Sequence, residues 1–470
     1  MGRSLALVAA LAAAAIASGC GGAEQTGAEI PESASFAPSD AVVFARFTTN
    51  GDSSQWQKAE SVLERIPGVR DALLTAVEQG LSDEGLDWDA DVAPALGDEV
   101  VIVATAKLRP IVLLEPESDE KLDALLAKSD QEIVRSDVQG RVALAEKDAD
   151  LAEYRAALER GTIENDESFA VGLQALPDES LGLVWVDMAV LTDDLSSLFE
   201  EVTQEQVELG IDWLSASLSV EDDGMLIALG MRTPDGGDTH YEPKLFNRVP
   251  ADAVAAISFG GTQGALDRLQ GQVDLDELSN SIEEATGVSL DGIVDALSGE
   301  GVLYVRQGEN VPDVTLALAP PNPDETWSTL DRLARKLATE MQTAVTTSTE
   351  NGVAVSKLVL EDVTIRYARL DTETVVVTSG EDALALLAGD SAKLADSDDF
   401  RRAAEDVELE DRTKGFVYVD VDGLLPLIES LAGESIPAEV RDGVGAIDSL
   451  VFQTSGDGDT TRVSGFVRVR

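Results

Sequence analysis

Four short blocks of this sequence occur twice, in the same order, and that internal repeat constrains the fold more than any other feature. Pro38-Ser39-Asp40-Ala41-Val42, ahead of Phe47, returns 212 residues later as Pro250-Ala251-Asp252-Ala253-Val254, ahead of Phe259. Ala95-Leu96-Gly97-Asp98-Glu99-Val100-Val101-Ile102 returns as Ala296-Leu297-Ser298-Gly299-Glu300-Gly301-Val302-Leu303, at an offset of 201. Gly182-Leu183-Val184-Trp185-Val186-Asp187 matches Gly415-Phe416-Val417-Tyr418-Val419-Asp420 at 233, and Ile211-Asp212-Trp213-Leu214 matches Ile447-Asp448-Ser449-Leu450 at 236. The offsets drift as loop insertions and deletions make them drift. A period of about 200 residues is that of a duplicated domain, not of a solenoid unit of roughly 20–50 residues. Residues 36–232 read as copy one and 249–470 as copy two. Residues 233–248, opening Thr233-Pro234-Asp235-Gly236-Gly237, have the composition of a linker.

Within each copy the pattern mixes strands and helices. Apolar, β-branched residues over 41–47 predict a strand. Trp56, Ala59, Val62, Leu63 and Ile66 form a helical stripe over 54–66, ended by Pro67-Gly68. A short helix is expected over 89–96, strands over 99–106 and 110–115, and a helix over 118–127. In copy two, strands over 353–360, 363–370 and 374–379 follow one another directly, then a helix over 380–388. The stretches 447–454 and 461–469 read as a closing hairpin around Gly456-Asp457-Gly458-Asp459. Strands that follow strands argue for α+β, two tandem homologous domains, each a largely antiparallel sheet with packed helices. A doubly wound parallel sheet is the alternative.

The Pro-x-Asp-Ala-Val openings at Pro38 and Pro250, the helix end Ile66-Pro67-Gly68-Val69 and the strand lead-in Leu96-Gly97-Asp98-Glu99 resemble an uncharacterised actinobacterial family of extracytoplasmic proteins, defined only as a domain of unknown function. The resemblance covers nearly all of the chain after its leader. It implies no activity and assigns no catalytic residue.

The N-terminus supplies an address. Arg3 precedes an apolar run from Leu5 to Ile16, shorter than the roughly 20 residues of a membrane span and suited to a signal-peptide core. Ala17-Ser18-Gly19-Cys20 resembles the bacterial lipobox, with Ala17 where that motif usually has Leu. Residues 1–19 are then a lipoprotein signal peptide, Cys20 carries the lipid, and 20–35 form a flexible tether. An ordinary secretory signal with an incidental cysteine is the competing reading. Two or three acyl chains, each buried CH₂ contributing about 0.8 kcal/mol, hold a protein stably to a bilayer. The expected location is the extracytoplasmic face of the bacterial cell membrane.

Composition narrows the chemistry. The chain has 34 Lys+Arg against 89 Asp+Glu, a net charge of −55, with one His and one Cys. Such a chain presents no basic face for nucleic acid and no Lys/Arg cluster for anionic lipid. An intrachain disulfide is impossible, and a Cys/His zinc site lacks its ligands. Asp87-Trp88-Asp89-Ala90-Asp91 alternates acids like a calcium loop, but Val92 stands at the sixth position where the sharp turn needs Gly; helix capping is the simpler role. Asp457-Gly458-Asp459, and Glu221-Asp222-Asp223-Gly224 in copy one, read as strand-joining turns. Asp187 and Asp420, at the ends of a repeated strand, read as caps for the helices that follow. His240 reads as an exposed linker residue, without the dry pocket a general base needs. Gly260-Gly261 and Gly264 lack the lysine and spacing of a phosphate loop.

No catalytic, cofactor or metal residue is therefore expected; the one assigned site is the lipidation of Cys20. The reading is a non-enzymatic binding or scaffolding component of the cell envelope, attached to the membrane through its lipid and recognising an envelope protein or an apolar ligand. The alternatives are a carrier of an apolar ligand such as lipid, a carboxylate-based hydrolase using two acids about 5–10 Å apart, and a solute-binding lipoprotein of an importer.

Overall fold

The computed structural model describes residues 28–83, 85–106, 109–129, 132–190, 210–233, 240–261, 283, 288–308, 311–360, 363–432 and 435–470. Residues 1–19, Cys20 and Gly264 lie outside them. The chain divides into two compact units: Met1–Gly237 with Asp442–Ile447 and Gly456–Arg470, and Asp238–Arg441 with Asp448–Ser455.

The first unit contains β1 (Ala41–Thr48), β2 (Glu99–Thr105), β3 (Pro110–Leu114), β4 (Val134–Val138), β5 (Arg141–Ala145), β6 (Gly182–Asp187), β7 (Trp213–Glu221) and β8 (Gly224–Arg232). The second contains β9 (Ala253–Phe259), β10 (Glu300–Arg306), β11 (Asp313–Ala319), β12 (Val345–Glu350), β13 (Val353–Leu360), β14 (Val363–Arg369), β15 (Val375–Thr378), β16 (Gly415–Asp420) and β17 (Ile447–Ser455); β18 (Thr460–Val469) returns to the first. Every one of the pairings that follow is antiparallel. The first sheet runs β4-β5-β3-β2-β1-β6-β7-β8-β18. The second runs β12-β13-β14-β15-β11-β10-β9-β16-β17. Its run β14-β15-β11-β10-β9-β16-β17 follows the run β4-β5-β3-β2-β1-β6-β7 of the first. The fold is α+β with extensive antiparallel sheet.

Local signals set the helices. Ser53 Oγ caps Ser54–Arg65 by accepting from the Trp56 N–H, and Gly68 ends that region at φ 77°. Ser118 Oγ caps Asp119–Leu126 by accepting from Lys121. Asn322 caps Pro323–Glu340, whose proline occupies the first turn, where its missing N–H is no loss. The expected helix over 89–96 forms as a π-helical turn, Trp88–Val92, running into Ala93–Leu96.

Each sheet has a core face. In the first unit Phe44, Phe169 and Trp185 stack edge to face, at centroid distances of 5.3 and 5.5 Å, beside buried Trp213. A Cβ at Gly172 would lie 2.7 Å from the Trp185 ring, so the indole occupies the space of the missing side chain. In the second, Phe246, Phe400, Phe416 and Tyr418 form the aromatic cluster.

Three sequence expectations need correction. The tether assigned to 20–35 is docked from residue 28: the Ala28 N–H donates to the Leu176 carbonyl at 2.9 Å, Glu32–Phe36 forms a 3-10 turn, and Ser33 and Ala34 are buried. The small side chains that suggested flexibility are what lets the backbone lie close against the unit. The linker assigned to 233–248 is folded from 240, with Leu245 and Phe246 buried and Phe246 inside the aromatic cluster. The end of copy two also shifts, because β18 pairs with β8 from Thr460–Arg232 to Arg468–Gly224. Residues 456–470, within the stretch expected as copy two, thus belong to the first unit.

Candidate functional site

Alternation along a strand sends successive side chains to opposite faces, so register decides what each face presents. On the second sheet one row reads Val451, Tyr418, Ala256, Tyr304, Thr315 and Thr378 across β17, β16, β9, β10, β11 and β15. All six are buried. The row on the opposite face reads Phe452, Val417, Ile257, Leu303, Leu316 and Val377. It too is wholly apolar, yet Phe452 is 38% and Ile257 41% exposed, and the other four are half-buried. A second row beside it, Leu450, Val419, Ala255, Val305 and Val314, ends in a residue 42% exposed. With strands about 4.8 Å apart, the first row extends about 24 Å. An open apolar surface of this kind on an acid-rich protein is unusual, because such patches on soluble proteins mark binding sites. In the first sheet the aligned positions hold Ala45 in place of Ile257 and Ala216 in place of Phe452; Ala45 is buried.

A second feature is a carboxylate at the start of the equivalent strands β2 and β10. Glu99 accepts from Arg141 Nη1 at 2.9 Å and from Ser33 Oγ at 3.4 Å, with Arg46 Nε 3.7 Å away. Glu300 accepts from the backbone N–H groups of Leu245 and Phe246. Burial pushes its carboxyl up to about 7, against the lowering effect of those two donors and of Lys244. In the sequence both residues stand only as parts of a repeated block, and their recurrence in an otherwise apolar strand is the signal that marks them.

The residues singled out from sequence have structural partners. Asp87 Oδ1 accepts from the Ala90 N–H at 2.7 Å, and Asp91 pairs with Lys121 at 2.9 Å, which draws the Asp91 carboxyl downward. Asp187 and Asp420 accept from the N–H groups of Val190 and Gly423 at 3.3 and 3.1 Å, the capping geometry expected; burial raises Asp420. Asp457 and Gly458 turn the chain between strands, Gly458 at φ 56°, and Asp459 faces Arg232 at 3.7 Å. The repeated Asp40 and Asp252 form ion pairs with Arg160 and Arg306. His240 is half-buried, its carbonyl accepting from Arg412 at 3.3 Å, and leads directly into the bridge Tyr241–Thr413. Gly260 faces the Tyr241 ring, where a Cβ would approach to 2.2 Å. These candidates are not brought together into one site. In the first unit the docked residues 28–32 wall a cleft of about 420 Å³ with Arg46, Asp178 and Leu183. Among the described residues no helix is long and apolar enough to cross a membrane.

A family model described as "Protein of unknown function (DUF3352)" matches residues 2–111 and 157–469. No curated protein matches the chain. Two solved structures of TP0453 are similar at 10% identity: crystal form IV, covering 47% of this chain and 92% of that one with a TM-score of 0.26, and crystal form I, covering 45% and 82% with a TM-score of 0.25. Likeness at that level bears on neither fold nor function.

Proposed function

The chain belongs to this family of unknown function (DUF3352), and we propose that it is a non-enzymatic, lipid-anchored binding protein of the cell envelope, built from two homologous α+β domains, whose ligand is apolar. The open face of the second sheet carries the ligand reading: eleven apolar side chains in two adjacent rows, with no charge among them. The central strands that display them already have hydrogen-bonded neighbours on both sides, so the face offers contact area and no backbone partners. Shared strand connectivity supports the homology of the two domains, as do the four ordered sequence blocks. The lipobox-like Cys20 supports the anchor.

Native mass spectrometry of protein purified without detergent tests the ligand: retained lipid mass, lost in the Ile257→Asp/Phe452→Asp double variant, is the expected result. A protein that carries no lipid and binds no fluorescent fatty-acid probe overturns the reading. For the anchor, Cys20→Ser is expected to abolish palmitate labelling and release the protein from membranes; labelling unchanged by that substitution overturns it.

A further inference from the structure

The two units solve the same problem with different electrostatics. Each is led into by a segment with a 3-10 turn, Glu32–Phe36 in the first and Phe246–Arg248 in the second. A glutamate at the start of the neighbouring strand holds each segment: Glu99 through Ser33, Glu300 through the N–H groups of Leu245 and Phe246. Around Glu99 stand two guanidinium groups, Arg141 and Arg46. The register locates their counterparts. Arg46 pairs with Val101 and Leu183, and Ser258 with the corresponding Val302 and Phe416. Arg141 precedes Val142, the partner of Leu114; Thr374 precedes Val375, the partner of Leu318. Uncharged Ser258 and Thr374 therefore replace both arginines. The Tyr241 hydroxyl bonds Ser258 Oγ at 2.8 Å. The charged groups that face Glu300 are Lys244 and Glu242, which pair with each other at 3.2 Å and are exposed.

We propose that Glu99 and Glu300 are latches pinning the lead-in segments to their sheets, and that the second, whose glutamate pairs with no guanidinium among the described residues (Arg248 bonds Thr374 and Asp371 instead), is the one that rising pH opens. Half-burial disfavours the ionised Glu300 carboxylate by more than the two backbone N–H donors and the exposed Lys244 restore. The sign follows from linkage. With segment 240–248 docked, Glu300 titrates near 7; with the segment released, it titrates in the ordinary carboxylate range. Docking is therefore complete below that range and weakens as pH rises through about 7. Glu99 is held instead by its ion pairs to Arg141 and Arg46.

Peptide-resolved hydrogen exchange, corrected for intrinsic rates, tests this from about pH 5.5 to about pH 8.5. Protection of residues 240–248 is expected to fall about tenfold across that range, less than a fully buried group would give because solvent screens a half-buried one. Protection of residues 28–36 stays level. Glu300→Gln makes the 240–248 profile level too. A level wild-type profile over 240–248, equal slopes in the two segments, or a slope that survives Glu300→Gln overturns the proposal. Carboxyl-carbon NMR on the wild-type protein is the check that needs no variant: Glu300 titrating in the ordinary carboxylate range overturns it equally.

Discussion

The two faces of β16 and β17 make opposite predictions for one chemical change. Phe416, 3% exposed, meets Phe246 at a centroid distance of 4.7 Å and Phe400 at 6.0 Å. Phe416→Ala leaves a cavity among rings that cannot close over it, and a loss of about 3–5 kcal/mol is expected. Phe452, from the neighbouring strand but the opposite face, already meets solvent over more than a third of its surface. Phe452→Ala removes about half the transfer free energy of a buried ring and leaves no enclosed void, so about 1 kcal/mol is expected. At a urea dependence of about 2 kcal/mol/M the two midpoints should differ by about 1 M or more. Hydrogen exchange of β9, β10 and β16 peptides along a urea series reads this unit without interference from the other. A fatty-acid probe supplies the second axis: Phe452→Ala weakens its binding, whereas folded Phe416→Ala retains it. Equal midpoints, or probe binding indifferent to Phe452, would refute the assignment of one face to the core and the other to a ligand.

Three further substitutions test the frame. Arg306, 7% exposed, bonds Asp252 and Asp382, with Asp313 3.9 Å away; because Asp252 and Asp382 are themselves more than half exposed and water can solvate them, Arg306→Leu is expected to cost about 1–2 kcal/mol by thermal denaturation. Gly97 has φ 74° and no room, a Cβ lying 1.9 Å from the Glu115 carbonyl oxygen, so Gly97→Ala should destabilise the first unit by roughly 2 kcal/mol or more, measured by urea unfolding. Truncation after Ser455 removes β18 and bares the edge of β8; exchange of β8 amides should accelerate in the first unit while β16 amides keep their protection, and unchanged β8 protection would contradict the pairing.

Much of the architecture was legible because it is local. Alternating apolar runs, Ser and Asn caps, and the Pro67-Gly68 stop placed elements to within a few residues. The meander over 353–379 appears as β13, β14 and β15 in direct antiparallel succession. Non-local choices were not legible. Nothing in the run Thr460–Val469 points to the distant β8 as a partner, because any apolar antiparallel edge would serve. Nor could residues 28–35 be told from a tether, since docking depends on the surface they meet. Glu99 and Glu300 were visible as repeated letters, but their difference resides in Arg46, Arg141, Ser258 and Thr374, which come together only through strand pairing. The apolar face was hidden for a related reason: an outward row and a core row carry the same residue types in β9, and only neighbours decide which one meets water.

The placement of β18 reverses the usual order of synthesis and completion. The ribosome makes β8 some 230 residues before it makes the strand that pairs along β8's edge. Until β18 is made, the amino-terminal body has an uncapped strand edge, the kind of template on which wrong partners assemble. Any premature stop in the distal half of the message would thus damage the half already made.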